Sequence, residues 1–289
     1  LPAQEAVAVV RAQLLHEVLP RHDDVSGPIL VVDDIHLSFA GVKAVDGVSL
    51  SVRNSEIFAV IGPNGAGKTS IFNCISGVYH PQEGSVRFMG TEVLGMRPDR
   101  VADLGVARTF QNIELFPQMT VLDNLMLGRH QHIRYGTPAA MLRFGKASRE
   151  ETHHRSVVEG IIEFLEIQQF RKSYVAMLPY GIQKRIELGR ALAMEPRLLL
   201  LDEPVAGMNL EETEDMARFI TDIRRELGIG IILVEHDMRM VMDLADQVLA
   251  LDFGKPIALG LPAEIQSNPD VVRAYLGEEH AVADEGDVA

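Results

Sequence analysis

The chain has 289 residues, 47% of them hydrophobic, and a formal net charge of −14. That length holds one large domain or two small ones, with apolar content ordinary for a globular core. The acidic balance excludes a basic nucleic-acid footprint, the single cysteine excludes an internal disulfide framework, and no apolar run is long enough to span a bilayer.

The first residues contain Glu5 and no basic leader before an apolar run, so no secretory signal is expected. Together these features point to a soluble protein in a reducing compartment. Residues 1–28 read as an N-terminal extension. Val7, Val10, Leu14 and Val18 recur at helical spacing until Pro20 and Arg21-His22-Asp23-Asp24 break it. An amphipathic helix and a frayed extension both fit that pattern. Ile29–Val32, Ile35–Phe39 and Val42–Val52 are strand-like, with Gly41 and Gly47 as punctuation, and Gly84–Met89 adds another strand. These predict an antiparallel layer.

Ile57–Ile61 reads as a buried strand running into Gly62-Pro63-Asn64-Gly65-Ala66-Gly67-Lys68-Thr69. This is G-x-x-x-x-G-K-[ST], the phosphate-cradling P-loop, and a helix over Ser70–Ser76 completes its strand–loop–helix context. The glycines let backbone N–H groups approach phosphate, and the helix N-terminus adds partial positive charge. Lys68 is placed to reach the β- and γ-phosphates, and Thr69 to hold Mg²⁺. Cys74, between Phe72 and Ile75 on the following helix, reads as a buried core thiol.

Gly105–Gln111 reads as a short strand entering a loop, and helical signals dominate from Val121 to Tyr174, starting at Thr120 and Asp123. The stretch His130–Glu151 is polar and basic and includes a loop. His130 with His132, and His153 with His154, lack cysteine or carboxylate partners at ligand spacing and read as solvated surface residues. Leu178–Gln183 opens a helix over Lys184–Met194. Leu198–Leu201 then runs into Asp202 and Glu203 as a central parallel strand with acids at its C-terminal end, where ligands of open α/β sheets bind. Asn209 and Glu212 form a capping box for a helix over Leu210–Leu227 that stops at Gly228. Ile229–Val234 is a further buried strand ending in Glu235-His236-Asp237, followed by a helix from Met238 and alternating strands at Val248–Leu251 and Ile257–Leu259. Residues 278–289, acidic and small, are expected to be disordered. The alternation of strands and helices predicts an α/β protein: a P-loop (RecA-like), mostly parallel sheet with an antiparallel β layer. Residues from about 112 to 177 would form an inserted helical subdomain.

A P-loop needs an acid for its metal and a group that positions water. Asp202 at a strand end can bind Mg²⁺ through water, and Glu203 beside it can act as general base. With these residues in place, the chain over 29–277 resembles the ATP-binding subunits of ABC transporters. Gln111, the segment Leu178–Gln183 and His236 stand in order where that family has its glutamine, its glycine-rich signature and its histidine. The resemblance implies that Gln111 senses Mg²⁺ and water, that His236 contacts the γ-phosphate, and that Ser70 hydrogen-bonds a phosphate. It also implies that Phe39, 23 residues before Gly62, stacks on adenine. The usual signature is Leu-Ser-Gly-Gly-Gln, but here Pro179, Tyr180 and Ile182 replace the serine, the first glycine and the glutamine. Tyr180 and Gly181 would then face a nucleotide across a dimer interface. Asn209 also stands where the family usually has aspartate.

The segments Ala107–Asn112, Ala206–Asn209, Glu235–Met238, Asn268–Asp270 and Ala274–Gly277 look like the branched-chain amino-acid importer subgroup. That resemblance implies ATP and Mg²⁺ as cofactors, and a peripheral place on the cytoplasmic face of the membrane. Its partners would be transporter membrane subunits, a second ATPase subunit (a heterodimer before a homodimer) and, indirectly, a periplasmic or surface substrate-binding protein, with no nucleic acid. Cargo alternatives are urea, short amides or a lipid. A non-transport ABC ATPase fits less well, because the chain lacks a long coiled-coil insert or a second nucleotide domain.

Overall fold

The computed structural model describes residues 15–23, 25–132 and 146–275, so the acidic tail and most of the polar stretch after His132 lie outside the described residues. The chain divides into two units. The first gathers the residues up to Asp23 with Ala107–Leu199 and Pro204–Ile229. The second gathers Asp24–Val106, Leu200–Glu203 and the chain from Gly230 onward.

In the second unit, β1 (Leu30–Phe39), β2 (Val42–Val52), β4 (Glu83–Phe88) and β5 (Thr91–Glu92) form a four-stranded antiparallel sheet in the order β2-β1-β4-β5. One face of β1 buries Leu30, Val32, Ile35 and Leu37, with a register shift between Val32 and Ile35. The larger sheet runs β10-β9-β3-β8-β7-β6, with β3 (Ile57–Ile61) parallel to both β8 (Gly230–Val234) and β9 (Gln247–Asp252). β6 (Val106–Arg108) and β7 (Leu198–Asp202) complete it, and β10 (Lys255–Gly260) is an antiparallel edge. Every residue of β3, β7 and β8 is buried, as continuous apolar strands covered on both sheet faces are. Val248–Leu251 is likewise buried throughout rather than alternating: Val248 and Ala250 pack on one face with Ala59, Ile61, Val241 and Ile265, and Leu249 and Leu251 are covered on the other. A period-2 pattern survives only where one sheet face meets water.

Helix α1 (Lys68–Ile75) begins two residues earlier than the sequence suggests, so Lys68 and Thr69 stand in its first turn behind Gly67, the N-cap at φ 98°. Cys74 is buried on it, and burial pushes its thiol up to about 12. The short helix α2 (Pro98–Asp103) precedes β6.

The first unit is helical. α3 (Val121–Gly128) is capped by Thr120, whose hydroxyl accepts from the Asp123 N–H. α4 (Lys146–Phe164), α5 (Tyr180–Leu192) and α6 (Leu210–Leu227) follow. Gly189 of α5 lies against Leu165, Leu125 and Ile161, so α5 approaches its neighbours closely where it has no side chain. α6 carries the expected capping box of Asn209 and Glu212 and stops at left-handed Gly228, φ 67°. Helix α5 starts at Tyr180 rather than Lys184, with Pro179 as its N-cap. Gly181 is tolerated there because first-turn N–H groups make no intrahelical bond, and because the Glu212 carboxylate passes where a Cβ would stand.

Residues 15–18 form a helical turn in this unit. Leu15 and Leu19 are buried, Val18 lies against Gly160, and the His22 N–H donates to the Leu227 carbonyl at 2.8 Å. The end of the N-terminal extension is therefore docked, not frayed. The histidine expectation also needs correction. His130 and His153 are exposed, but His154 is only 3% exposed and its Nδ1 accepts from the buried Arg129. His132 Nε2 donates to the Met194 carbonyl at 3.0 Å. Among the described residues no cluster of three metal-ligating side chains occurs.

Candidate nucleotide site

The loop after β3 is built on left-handed glycines: Gly62 at φ 151°, Gly65 at φ 80° and Gly67 at φ 98°. A Cβ at Gly62 would strike the Leu251 carbonyl and one at Gly67 the Ala44 carbonyl, whereas Gly65 has open space around it. The loop is thus clamped at both feet and free at its tip, where Asn64 and Gly65 are exposed; Pro63 and Ala66 are buried. Ala66 N–H donates to the Pro63 carbonyl at 3.1 Å, and its own carbonyl accepts from Gly254 N–H at 3.1 Å. Lys68 is buried, and its Nζ donates to the carbonyls of Gly62 at 2.6 Å and Pro63 at 2.9 Å. Thr69 is exposed and Ser70 half-buried at the helix N-terminus. From Gly62 to Ser70 the functional side-chain groups are one ammonium, two hydroxyls and one amide, with no carboxylate. With backbone N–H groups and the helix dipole, this donor set fits a polyphosphate.

Three strands that are consecutive neighbours in the sheet, β3, β8 and β7, lead into the P-loop, His236 and the acid pair respectively. Asp202 is 2% exposed at the end of β7. Glu203 has a left-handed backbone, φ 49°, and its N–H donates to the Val234 carbonyl at 2.9 Å. Its Oε1 lies 2.6 Å from His236 Nε2. The buried Glu235 accepts the His236 N–H at 3.0 Å, and Asp237 caps α7 (Met238–Leu244), fixing where the histidine leaves β8. The sequence nominates Glu203 and His236 separately, and the contact between them is new: adjacency of β7 and β8 is not written in either segment. Phe39, at the end of β1, is 45% exposed and meets Tyr79 edge-to-face, with centroids 5.0 Å apart and planes at 70°. Tyr79 carries no motif and escapes a sequence reading.

The remaining nominated residues belong to the first unit. Gln111 is exposed beyond β6, and its carbonyl accepts from Lys184 Nζ at 3.0 Å. Tyr180 is 43% exposed, with its ring beside Gly207 and 5.9 Å from Lys184 Nζ, while Gly181 is buried. Lys184 and Glu187, which no motif singles out, are buried, 3.7 Å apart and one turn along the same helix. Burial pushes the Glu187 carboxyl above its usual range, opposed by the Lys184 charge.

Comparison with known proteins agrees with this geometry. Residues 45–206 match the ABC transporter family, and residues 255–281 match the family described as branched-chain amino acid ATP-binding cassette transporter. The chain is 40% identical over 253 residues to the high-affinity branched-chain amino acid transport ATP-binding protein BraF of Pseudomonas aeruginosa, covering 88% of this chain and 99% of that protein. It is 37% identical over 253 residues to the corresponding LivG of Escherichia coli, with the same coverage. Among solved structures, the ADP conformation of an ATP-binding cassette of an ABC transporter superposes with a TM-score of 0.75 at 29% identity, covering 86% of this chain and 99% of that one. A P-loop on a mostly parallel sheet, an acid pair at the end of β7 and these likenesses over most of the chain place it in one family: it belongs to the ATP-binding cassette proteins of ABC transporters.

Proposed function

We propose that this chain is the ATP-hydrolysing subunit of an importer for branched-chain or related apolar amino acids, working at the membrane surface with transporter membrane subunits. The cargo reading is supported by the printed functions of BraF and LivG and by the match of residues 255–281 to the branched-chain subgroup. Incorporation into vesicles with the membrane subunits, and uptake of labelled leucine against labelled urea, tests it.

The hydrolysis reading is carried by one observation, the 2.6 Å contact of Glu203 Oε1 with His236 Nε2 at the end of neighbouring strands. ATP is the substrate. Lys68 and the loop N–H groups from Gly62 to Ser70, with Pro63, Asn64 and Ala66 shaping the loop, hold its phosphates. Phe39 offers a ring face to adenine. Thr69 and Asp202 would hold Mg²⁺, which when bound neutralises charge on the β- and γ-phosphates, and the family resemblance adds Gln111 as the residue that senses it. Glu203 takes the proton of the attacking water, and His236 holds both the carboxylate and the γ-phosphate in place. Tyr180 and Gly181 face the nucleotide of a second ATPase subunit, and a partner of different sequence is favoured.

Glu203→Gln tests the assignment. The amide keeps shape and can still bond His236 but accepts no proton. ATP binding should remain near normal while turnover falls by at least about 100-fold, in the range of general-base catalysis. Near-normal turnover would remove Glu203 from the role.

A further inference from the structure

One face of α5 grips the segment that carries Gln111. Lys184 Nζ donates to the carbonyls of Phe110 at 3.4 Å and Gln111 at 3.0 Å. Glu187 Oε1 accepts the Phe110 N–H at 3.2 Å, and one turn on, Arg190 Nη1 donates to the Glu114 carbonyl. Positions 184 and 187 are three apart and therefore share a helix face, and their side chains are 2% and 3% exposed. The same Lys184 ammonium also stands over the ring of Tyr180, one turn toward the helix start.

Bringing two charges into the core is expensive, and apolar residues of similar volume serve a core equally well or better. A pair whose bonds go to three backbone groups around Gln111, and whose cation also meets Tyr180, has a positional use.

We propose that Lys184 and Glu187 are positioning residues that tie Gln111 to the signature segment, so that a displacement of Tyr180 is passed to the Gln111 backbone through one buried ammonium. The link is short: Tyr180 ring, Lys184 Nζ, Gln111 carbonyl. Glu187 holds the ammonium in register and fixes the peptide before Gln111. This rests on the reading of Gln111 as the residue that senses Mg²⁺ and water, and it adds what sets that residue's position. The P-loop is not part of the link, so ATP affinity should be independent of it.

The test uses the full chain assembled with its membrane subunits and compares Lys184→Met, Lys184→Arg and Glu187→Gln. Lys184→Met keeps length and apolar volume but donates nothing. It should lower kcat for ATP roughly tenfold, as mutations along a coupling link do, with KM for ATP unchanged within about twofold. It should also raise the Mg²⁺ concentration for half-maximal rate. Lys184→Arg, which restores a cation and donors, should recover most of kcat. Glu187→Gln keeps an acceptor for Phe110 N–H, folds without an unpaired buried carboxylate, and should lower kcat in the same direction with KM held. If Lys184→Met fails to fold, Glu187→Gln carries the measurement. The inference is overturned if kcat stays within twofold in the folded variants, if KM rises in step with the loss of kcat, or if Lys184→Arg recovers nothing. Glu203→Gln run in parallel separates the two readings. Loss of turnover there with normal turnover in Lys184→Met leaves hydrolysis intact and removes only the link.

Discussion

Lys68 Nζ is bonded to two carbonyls of its own loop, so its charge is already gathered where phosphates would arrive rather than spread into solvent. Its side chain loses little further freedom on binding, since burial has already ordered it. Lys68→Ala removes the only cation of the loop and leaves the Gly62 and Pro63 carbonyls facing an anion. ATP affinity should fall by roughly 10- to 100-fold or more, from loss of charge-assisted bonds worth about 1.5–3 kcal/mol. Calorimetric titration measures it, and ATP affinity within threefold of the unmodified protein would contradict the assignment of the loop.

Helices α3 and α4 of the first unit meet through a buried polar contact, and it gives that unit an acid limit. Arg129 follows α3 and His154 lies within α4. Arg129 Nη1 donates to the Ala193 carbonyl at 2.9 Å and to Glu195 at 2.6 Å, while its other nitrogens face His154 Nδ1. Burial, then the positive charge of Arg129, holds the His154 pKa below its ordinary 6.5; His153 and His132 add to this and Glu150 opposes it. A depressed histidine pKa means that the unfolded chain binds the proton first as pH falls. The stabilisation is therefore present above about 6.5 and is lost below it. His22, half-buried and also depressed, first by burial and then by Arg197, adds to the same trend. The unmodified protein should melt progressively lower between pH 6.5 and 5. His154→Asn, which keeps an acceptor toward Arg129 but takes no proton, should show a shallower acid limb. Equal slopes in thermal melts at several pH values would refute this role.

These two helices also show what a linear reading misses. The caps of α3 and α6 were legible because a cap is a contact between residues three apart, whereas the Asp237 cap of α7 was not singled out. The P-loop and the acid pair were legible for the same local reason. His154 looked like a surface residue because its partner, Arg129, is 25 positions away. The Glu203–His236 contact, the Phe39–Tyr79 ring pair and the Lys184–Gln111 bond each join segments that only strand order or helix packing brings together. The early start of α5 was hidden by a glycine and a proline that ordinarily mark loops.

For the whole molecule, the signature segment is where this chain departs from its family and where the proposed partner can be tested. Pro179 is the N-cap of α5 and makes no side-chain capping bond. In the proposed dimer a serine there would donate to a γ-phosphate across the interface, a bond worth roughly 1.5–3 kcal/mol, or about 10- to 100-fold in rate. The isolated protein should therefore turn over slowly, and a related ATPase subunit with an intact serine should raise the rate. Pro179→Ser should speed the protein alone by about tenfold while changing the paired complex less. Brisk turnover by the unmodified chain alone, unchanged by Pro179→Ser, would remove this argument for a heterodimer.

On the proposed role of Glu203, its left-handed backbone sets the chain's foldability against its work. At φ 49° a glycine would sit without steric cost, whereas a glutamate in that region is held against roughly 1–3 kcal/mol of conformational strain. Glu203→Gly relieves that strain and gives up a contact with His236, whose side chain is 40% exposed and can turn to water, so the melting temperature should rise while hydrolysis is lost. A directed-evolution campaign selecting on heat resistance alone would then drift toward dead enzyme at this position, and any thermostable descendant that still hydrolyses ATP must have gained its stability elsewhere.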